Sequence, residues 1–448
     1  MKYLIVVFLL HLVFPGWGQD YTLIKGSCTN SKWEEVKLFQ AVEGKPQFYA
    51  STQIARDGSY GFILRPEEPG FYAIGSEKIN FIVYIQGGEE INIDLLETQA
   101  RLNGRNTREN EKLYQWEDYA TDIRLKSLFF DKILSDYEDF FPEFNAFLQN
   151  LDKVRKEWKS GNSHFDELFQ KLIDYETDFF AIMFLQTPRT KHPERSVWPE
   201  FYKHVISEQK FHTDEILQFP HGMQMLDNYI NFATLESGQN PIGHTDAYLA
   251  YLPNDHLKGE YIVSTLFSDF KSYDQYLEGM EKYGKYLTTP LLKRRAEAIG
   301  TQLYDTKPGG RAADFTYPDQ QGKMVSLSDF PGKVVVVDVW ATWCGPCRTE
   351  IPHLKKLEEE MREKDVVFLG VSLDEKKNKQ KWLDVIKTEG LHGVQLFADG
   401  WSKITKDYKI TGIPRFLVFD KQGHIATTHA PRPSSPELKK LLLRLLAD

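Results

Sequence analysis

The sequence predicts a multidomain chain of three structural styles: an N-terminal all-β sandwich, a central all-α region and a C-terminal α/β domain. Three observations point there. Apolar and polar residues alternate up to about residue 102, and apolar residues then recur at helical spacing from about 106 to 303. Beyond that, the β-branched run Val334-Val335-Val336-Val337-Asp338-Val339-Trp340 leads into a helical pattern, as a buried strand followed by a covering helix does. The length of 448 residues also exceeds what one core supports, since domains hold roughly 100–200 residues. The expected divisions are 1–18, 19–105, 106–303 and 304–448.

Residues 1–18 have the pattern of an export signal: Met1-Lys2-Tyr3, an apolar run from Leu4 to Phe14 interrupted by His11, then Pro15-Gly16-Trp17-Gly18-Gln19. Cleavage is expected after Gly18. The run is shorter than the ~18–20 apolar residues that span a bilayer, and no later segment reaches that length. The expectation is therefore a protein of the periplasm or cell envelope with no stable membrane span after cleavage. Cys28 follows Lys25-Gly26-Ser27 and lacks the apolar-small-small setting of a lipid-anchored cysteine.

In the β region, Tyr21-Thr22-Leu23-Ile24, Val36-Lys37-Leu38-Phe39, Tyr60-Gly61-Phe62-Ile63-Leu64, Phe71-Tyr72-Ala73-Ile74, Phe81-Ile82-Val83-Tyr84-Ile85 and Ile91-Asn92-Ile93-Asp94-Leu95 are strand candidates at sandwich spacing. Asp57-Gly58 reads as a hairpin turn. In the helical region, Phe165, Leu168, Phe169, Leu172 and Ile173 fall on one stripe, and the crowded aromatics, Phe129-Phe130, Phe140-Phe141, Phe179-Phe180 and Trp198, read as bundle core. His192, His204, His212, His221, His244 and His256 form no His-Glu-x-x-His pair and read as surface or capping groups, so no metal site is expected. Lys307-Pro308-Gly309-Gly310 breaks the helical pattern and opens the last domain.

A net charge of −9 with a pI of about 5.8 excludes a nucleic-acid binder, which needs concentrated Lys and Arg. Three cysteines are too few for a stapled scaffold. Cys28 reads as a small buried strand residue. The remaining two form Cys344-Gly345-Pro346-Cys347 at a strand-to-helix turn, where the helix dipole and free N–H groups favour thiolate over thiol. Pro346 is tolerated in the first turn. A four-thiolate zinc site is impossible with this cysteine count, and no suitable histidine pair follows, so the motif reads as thiol–disulfide exchange: Cys344 attacks and Cys347 resolves. No cofactor is needed for that chemistry.

Asp338-Val339-Trp340-Ala341-Thr342-Trp343-Cys344-Gly345-Pro346-Cys347 resembles the active-site strand and turn of thioredoxin. More narrowly, Ala313-Asp314-Phe315 and Val325-Ser326-Leu327-Ser328-Asp329-Phe330 resemble the TlpA-like, cytochrome-maturation-type exported thioredoxins, over about Gly309 to Asp448. The stretch ahead of them resembles the β-sandwich often found before such domains. The resemblance implies a thioredoxin fold and several roles. Pro414, in Gly412-Ile413-Pro414-Arg415, matches the cis-proline beside the cysteines, and Ile413 would pair with an extended substrate. Trp343, Gly345 and Pro346 complete the surface expected to meet substrate, with Trp340 and Trp343 shielding the sulfurs. Asp338 matches the buried acid that accepts a proton from Cys347, although no lysine stands on Val367-Phe368-Leu369-Gly370-Val371 to pair with it. Glu350 matches an acid placed near the disulfide, and Pro352 a helix kink.

The expected function is thus an exported thiol–disulfide oxidoreductase. Gly345-Pro346 is the dipeptide of strongly reducing members, which favours a reductase of disulfides in envelope proteins, apocytochromes among them, re-reduced by a membrane thiol carrier. Two alternatives stand beside it. A thioredoxin-fold peroxidase would need a Thr shortly before a lone cysteine in a Pro-rich loop. A partner-binding module would use the residues ahead of Gly309 for capture and the last domain for docking.

Overall fold

The structure, a computed structural model, describes residues 21–66, 68–189, 191–207, 210–238 and 245–447. The export-signal reading of 1–18 and the histidine reading of His244 lie outside the described residues. The chain divides into two compact units, Met1–Lys258 and Gly259–Asp448.

The first unit opens with eight strands: β1 (Thr22–Ser27), β2 (Glu35–Val42), β3 (Lys45–Gln53), β4 (Ser59–Leu64), β5 (Gly70–Gly75), β6 (Asn80–Ile85), β7 (Glu90–Leu95) and β8 (Ala100–Leu102). They form two four-stranded sheets, ordered β4-β1-β7-β8 and β3-β2-β5-β6. Strand β4 buries Tyr60, Phe62 and Leu64 and leaves Ile63 in solvent, as period two requires. Strands β5 and β6 are instead buried almost throughout, because Phe165 from the helical segment packs on Phe71 and Tyr84 at 5.8 and 4.8 Å between ring centroids. Asp57-Gly58 does not close a hairpin: β3 pairs with β2 and β4 with β1, so this turn carries the chain from one sheet to the other. Gly58 sits there at φ 84°, a conformation that favours glycine.

Helices follow: α1 (Arg108–Leu128), α2 (Tyr137–Val154), α3 (Ser163–Gln186), α4 (Tyr202–Val205), α5 (Gly222–Glu236), α6 (Thr245–Leu249) and α7 (Asp255–Tyr261), the last crossing the division between units. Thr107, Asp136 and Asn162 cap the three long ones through side-chain oxygens. Asn110 of α1 exchanges hydrogen bonds with both backbone groups of Tyr84, at 2.9 and 2.7 Å, which occupies the outer edge of β6. The aromatic crowd is bundle core, with Phe140 stacked on Phe184 at 3.7 Å. His221 stands at the N-cap position of α5 but does not cap with its side chain: a ring nitrogen lies 2.9 Å from the Asn80 side chain, and burial lowers its proton affinity.

The second unit starts with α8 (Tyr273–Tyr283) and α9 (Pro290–Leu303). The expected division at 303/304 falls inside this unit, at the end of α9. Gly309 N–H donates to Ile425 O and Ile425 N–H to Gly310 O, each at 2.8 Å, and Tyr273 N–H donates to the Thr306 hydroxyl at 3.1 Å. A ribbon of β9 (Thr316–Pro318) and β10 (Met324–Ser326) precedes a five-stranded sheet ordered β13-β12-β11-β14-β15. These strands are β11 (Val334–Trp340), β12 (Val366–Ser372), β13 (Val394–Phe397), β14 (Arg415–Phe419) and β15 (Ile425–Thr427). The connecting helices are α10 (Gly345–Glu360), α11 (Lys379–Glu389) and α12 (Lys403–Asp407), and α13 (Pro436–Ala447) closes the chain. Strand β11 is central, parallel to β12 and antiparallel to β14. Val335, Val337 and Val339 pack with Leu369, Leu417 and Phe419 on one face; Val334 and Val336 pack with Leu354, Leu357, Leu438 and Leu442 of α10 and α13 on the other. Burial on both faces explains the unbroken valine run. This is the thioredoxin fold, and it sets the end of β11 against the start of α10.

Candidate active site

Strand β11 ends at Trp340, and four residues later α10 begins with Cys344 as its N-cap. Cys344 and Cys347 are joined in a disulfide across that turn. Cys347 N–H donates to Cys344 Sγ at 3.2 Å, so the sulfur occupies the place of a capping oxygen and receives one of the helix's free donors. Gly345 and Pro346 fill the first helical positions and are exposed. Both sulfurs belong to a buried cluster with Trp340, Ala341, Trp382, Ile386 and Phe397.

The cysteines do not differ in burial. Cys344 is 4% exposed and Cys347 3%, both inside the buried cluster that includes Trp382 and Phe397. What separates them is position: Cys344 caps the helix and Cys347 lies inside its first turn. The two tryptophans also part company. Trp340 is buried among the sulfurs, whereas Trp343 is 54% exposed and presents its ring to solvent beside them. Ile413 packs on the cysteine cluster, and the Ile413–Pro414 peptide bond is cis, just before β14 begins at Arg415. Trp343, Gly345, Pro346, Ile413 and Pro414 are thus gathered around one disulfide.

Two acids sit on β11 and α10, the elements on either side of the cysteine turn. Asp338 is buried on β11, paired with Gly370 of β12 and Phe416 of β14. Burial foremost, then the charges of Glu358 and Glu350, pushes its carboxyl up to about 8. Glu350 is neither a surface residue nor a free acid at the disulfide: its carboxylate accepts from Ser434 N–H at 2.9 Å and Ser434 Oγ at 3.0 Å, with Arg432 at 4.0 Å. It ties α10 to the segment before α13. Pro352 lies within α10.

One residue that the sequence reading missed holds the catalytic turn. Asp374, fully buried after β12, accepts from Thr342 N–H at 2.8 Å, Thr342 Oγ1 at 2.7 Å and Ser372 Oγ at 2.7 Å. Thr342 stands two residues before Cys344, so this carboxylate fixes the backbone entering the helix. No motif marks Asp374; only the spacing of β12 beside β11 brings it to the turn.

A dithiol at such a position can exchange with a disulfide through a mixed-disulfide intermediate, with a buried acid nearby to take up a proton. The comparisons agree with that chemistry. The AhpC/TSA family matches residues 308–428. The thioredoxin-like protein YneN of Bacillus subtilis is 30% identical over 177 residues, 35% of this chain and 96% of that protein. The thiol-disulfide oxidoreductase ResA of Geobacillus kaustophilus is 30% identical over 149 residues, 31% of this chain and 83% of that protein. The chain belongs to the thioredoxin-like thiol–disulfide oxidoreductases. Among solved structures, the thioredoxin domain of a thiol-disulfide oxidoreductase from Bacteroides vulgatus is 27% identical, with a TM-score of 0.28, covering 31% of this chain and 98% of that one. As a member of this family the protein is an enzyme, and the shared part lies in its C-terminal third. Among the described residues no helix is long and apolar enough to cross a membrane.

Proposed function

We propose that this oxidoreductase works outside the cytoplasm as a reductase of disulfides in envelope proteins, apocytochromes among its substrates, and that a membrane thiol carrier returns electrons to it. The observation that carries the reading is the Cys344–Cys347 pair at the start of α10, with Asp338 buried on β11, the strand that leads into it. Cys344 thiolate attacks a substrate disulfide and expels one substrate thiolate. Asp338 takes the proton from Cys347, which displaces the second substrate sulfur and closes the enzyme disulfide, so two electrons pass to the substrate. Trp343, Gly345, Pro346, Ile413 and Pro414 form the surface on which the substrate strand lies, and Glu350 steadies the helix that carries the cysteines. The export signal at 1–18 supplies the address, and an N-terminal sandwich and helical region ahead of the thioredoxin-fold domain supply a surface for partners.

The peroxidase reading is disfavoured because Cys344 is not a lone cysteine; its partner is already in bonding position. The test is reduction of an envelope-protein disulfide by the dithiol form of the full-length protein. Stoichiometric reduction with appearance of the Cys344–Cys347 disulfide is expected. Consumption of hydroperoxide in place of disulfide would overturn the reading.

A further inference from the structure

Three buried oxygens in the interface between α10 and the sheet have no hydrogen-bond donor among the described residues: Asp338 Oδ1, Gln395 Oε1 and Glu358 Oε2. The strand register places Asp338 and Gln395 in line through Gly370. Asp338 pairs with Gly370, and Gly370 pairs with Gln395, so the three stand in one row across β11, β12 and β13. Gly370 has no side chain, and the Gln395 amide lies over it: a Cβ there would be 2.2 Å from Gln395 Oε1. One N–H of Gln395 Nε2 donates to His392 O at 2.8 Å, while its Oε1 accepts from no donor among the described residues. Glu358 reaches the same interface from α10, where a Cβ on Gly393 would lie 3.3 Å from its Oε1.

Acceptors gathered without donors are costly to bury, at about 1–3 kcal/mol each. A carboxyl group can supply the missing donor itself by keeping its proton. We propose that Asp338 and Glu358 act as one acid pair that holds a single proton, with Glu358 setting how tightly Asp338 keeps it. This rests on the reading of Asp338 as the group that serves Cys347. Like charges in a shared, poorly solvated space do not both ionise readily, and their titrations belong to the pair. The electrostatics point the same way: the Glu358 charge is the strongest neighbour acting on Asp338, and burial raises Glu358 itself to about 7. The other charged groups facing the pair are Glu350, held by Ser434 and Arg432, and Lys355, whose ammonium opposes the rise at Glu358 and donates to Glu389 O. The sheet side contributes the neutral Gln395. Glu358 is a positioning residue in this scheme: its charge acts on Cys347 through Asp338.

The experiment uses the full-length reduced protein and 5,5′-dithiobis(2-nitrobenzoate). Cys344 takes one thionitrobenzoate as a mixed disulfide and expels the other; Cys347 then loses its proton and displaces the second, which is read in a stopped-flow spectrophotometer against pH. Asp338→Asn should slow that second release about tenfold or more. Glu358→Gln should move its pH midpoint down by about one unit, since Asp338 ionises more readily beside a neutral amide. Lys355→Met, on the solvent side, should move the midpoint up, and Glu358→Asp should leave it near the wild-type value. If Asp338→Asn slows the release while neither Glu358→Gln nor Lys355→Met moves the midpoint, the acid pair is refuted and the role of Asp338 stands. If Asp338→Asn changes nothing, the reading of Asp338 falls and the pair with it.

Discussion

The backbone N–H of Cys347 points at the sulfur of Cys344 across 3.2 Å, which makes Cys344 the N-cap of its own helix. When the disulfide opens, that donor and the helix dipole favour negative charge on Cys344 and leave Cys347 a thiol.

The two cysteines should therefore behave differently when replaced singly. Cys347→Ser should accumulate mixed disulfides through Cys344, because nothing remains to release the partner, and the trapped proteins would be the substrates. Cys344→Ser should trap little. Non-reducing gels of both variants expressed in the native envelope check this, and equal trapping would contradict the assignment.

The proposed reductase direction is tested by the potential of the cysteine pair. With Gly345-Pro346 between the cysteines, equilibration with glutathione should give a potential nearer that of thioredoxin at about −270 mV than of DsbA at about −120 mV. A value above roughly −150 mV would favour an oxidase.

Asp374 should matter more to the catalytic turn than its lack of a motif suggests. Asp374→Ala strands Thr342 N–H, Thr342 Oγ1 and Ser372 Oγ in a buried site. A loss of about 2–4 kcal/mol in urea unfolding is expected, with slower exchange at Cys344. Asp374→Asn, which keeps one acceptor oxygen, should recover part of both.

Asp338 should make stability fall as pH rises. Its folded carboxyl is pushed up to about 8, above the unfolded value of roughly 3.9, so its contribution is fully present below about pH 4 and lost as pH climbs through 8. Asp338→Asn removes that dependence. In the oxidised protein, where the cysteines do not titrate, the variant should gain about 2–4 kcal/mol on wild type between pH 5 and pH 9. A constant difference across that range would show that Asp338 ionises normally.

The sequence by itself determined the thioredoxin-like domain and its cysteine pair, because these depend on local rules. A β-branched run interrupted only by Asp338 points to a strand covered on both faces, and a Cys-x-x-Cys pair at the start of the next helix meets without help from the rest of the chain. The helical stripe of α3 and the strands of the N-terminal sheets were legible for the same reason. Period fails where another element covers the second face: β5 and β6 read as continuous apolar runs whose partner, Phe165, lies roughly eighty to ninety-five residues on in sequence. Strand β3 escaped because its side chains are mostly exposed and carry no alternation. The Asp57-Gly58 turn looked like a hairpin because a turn dipeptide fixes the chain's reversal but not which strand receives it. Only the tertiary structure decided that Asp374 holds the turn, that Glu350 is spent on Ser434, and that Gly370 leaves room for Gln395 in the row beside Asp338. Those relations run between strands and helices far apart in sequence. They are fixed by register and packing, which no local pattern records.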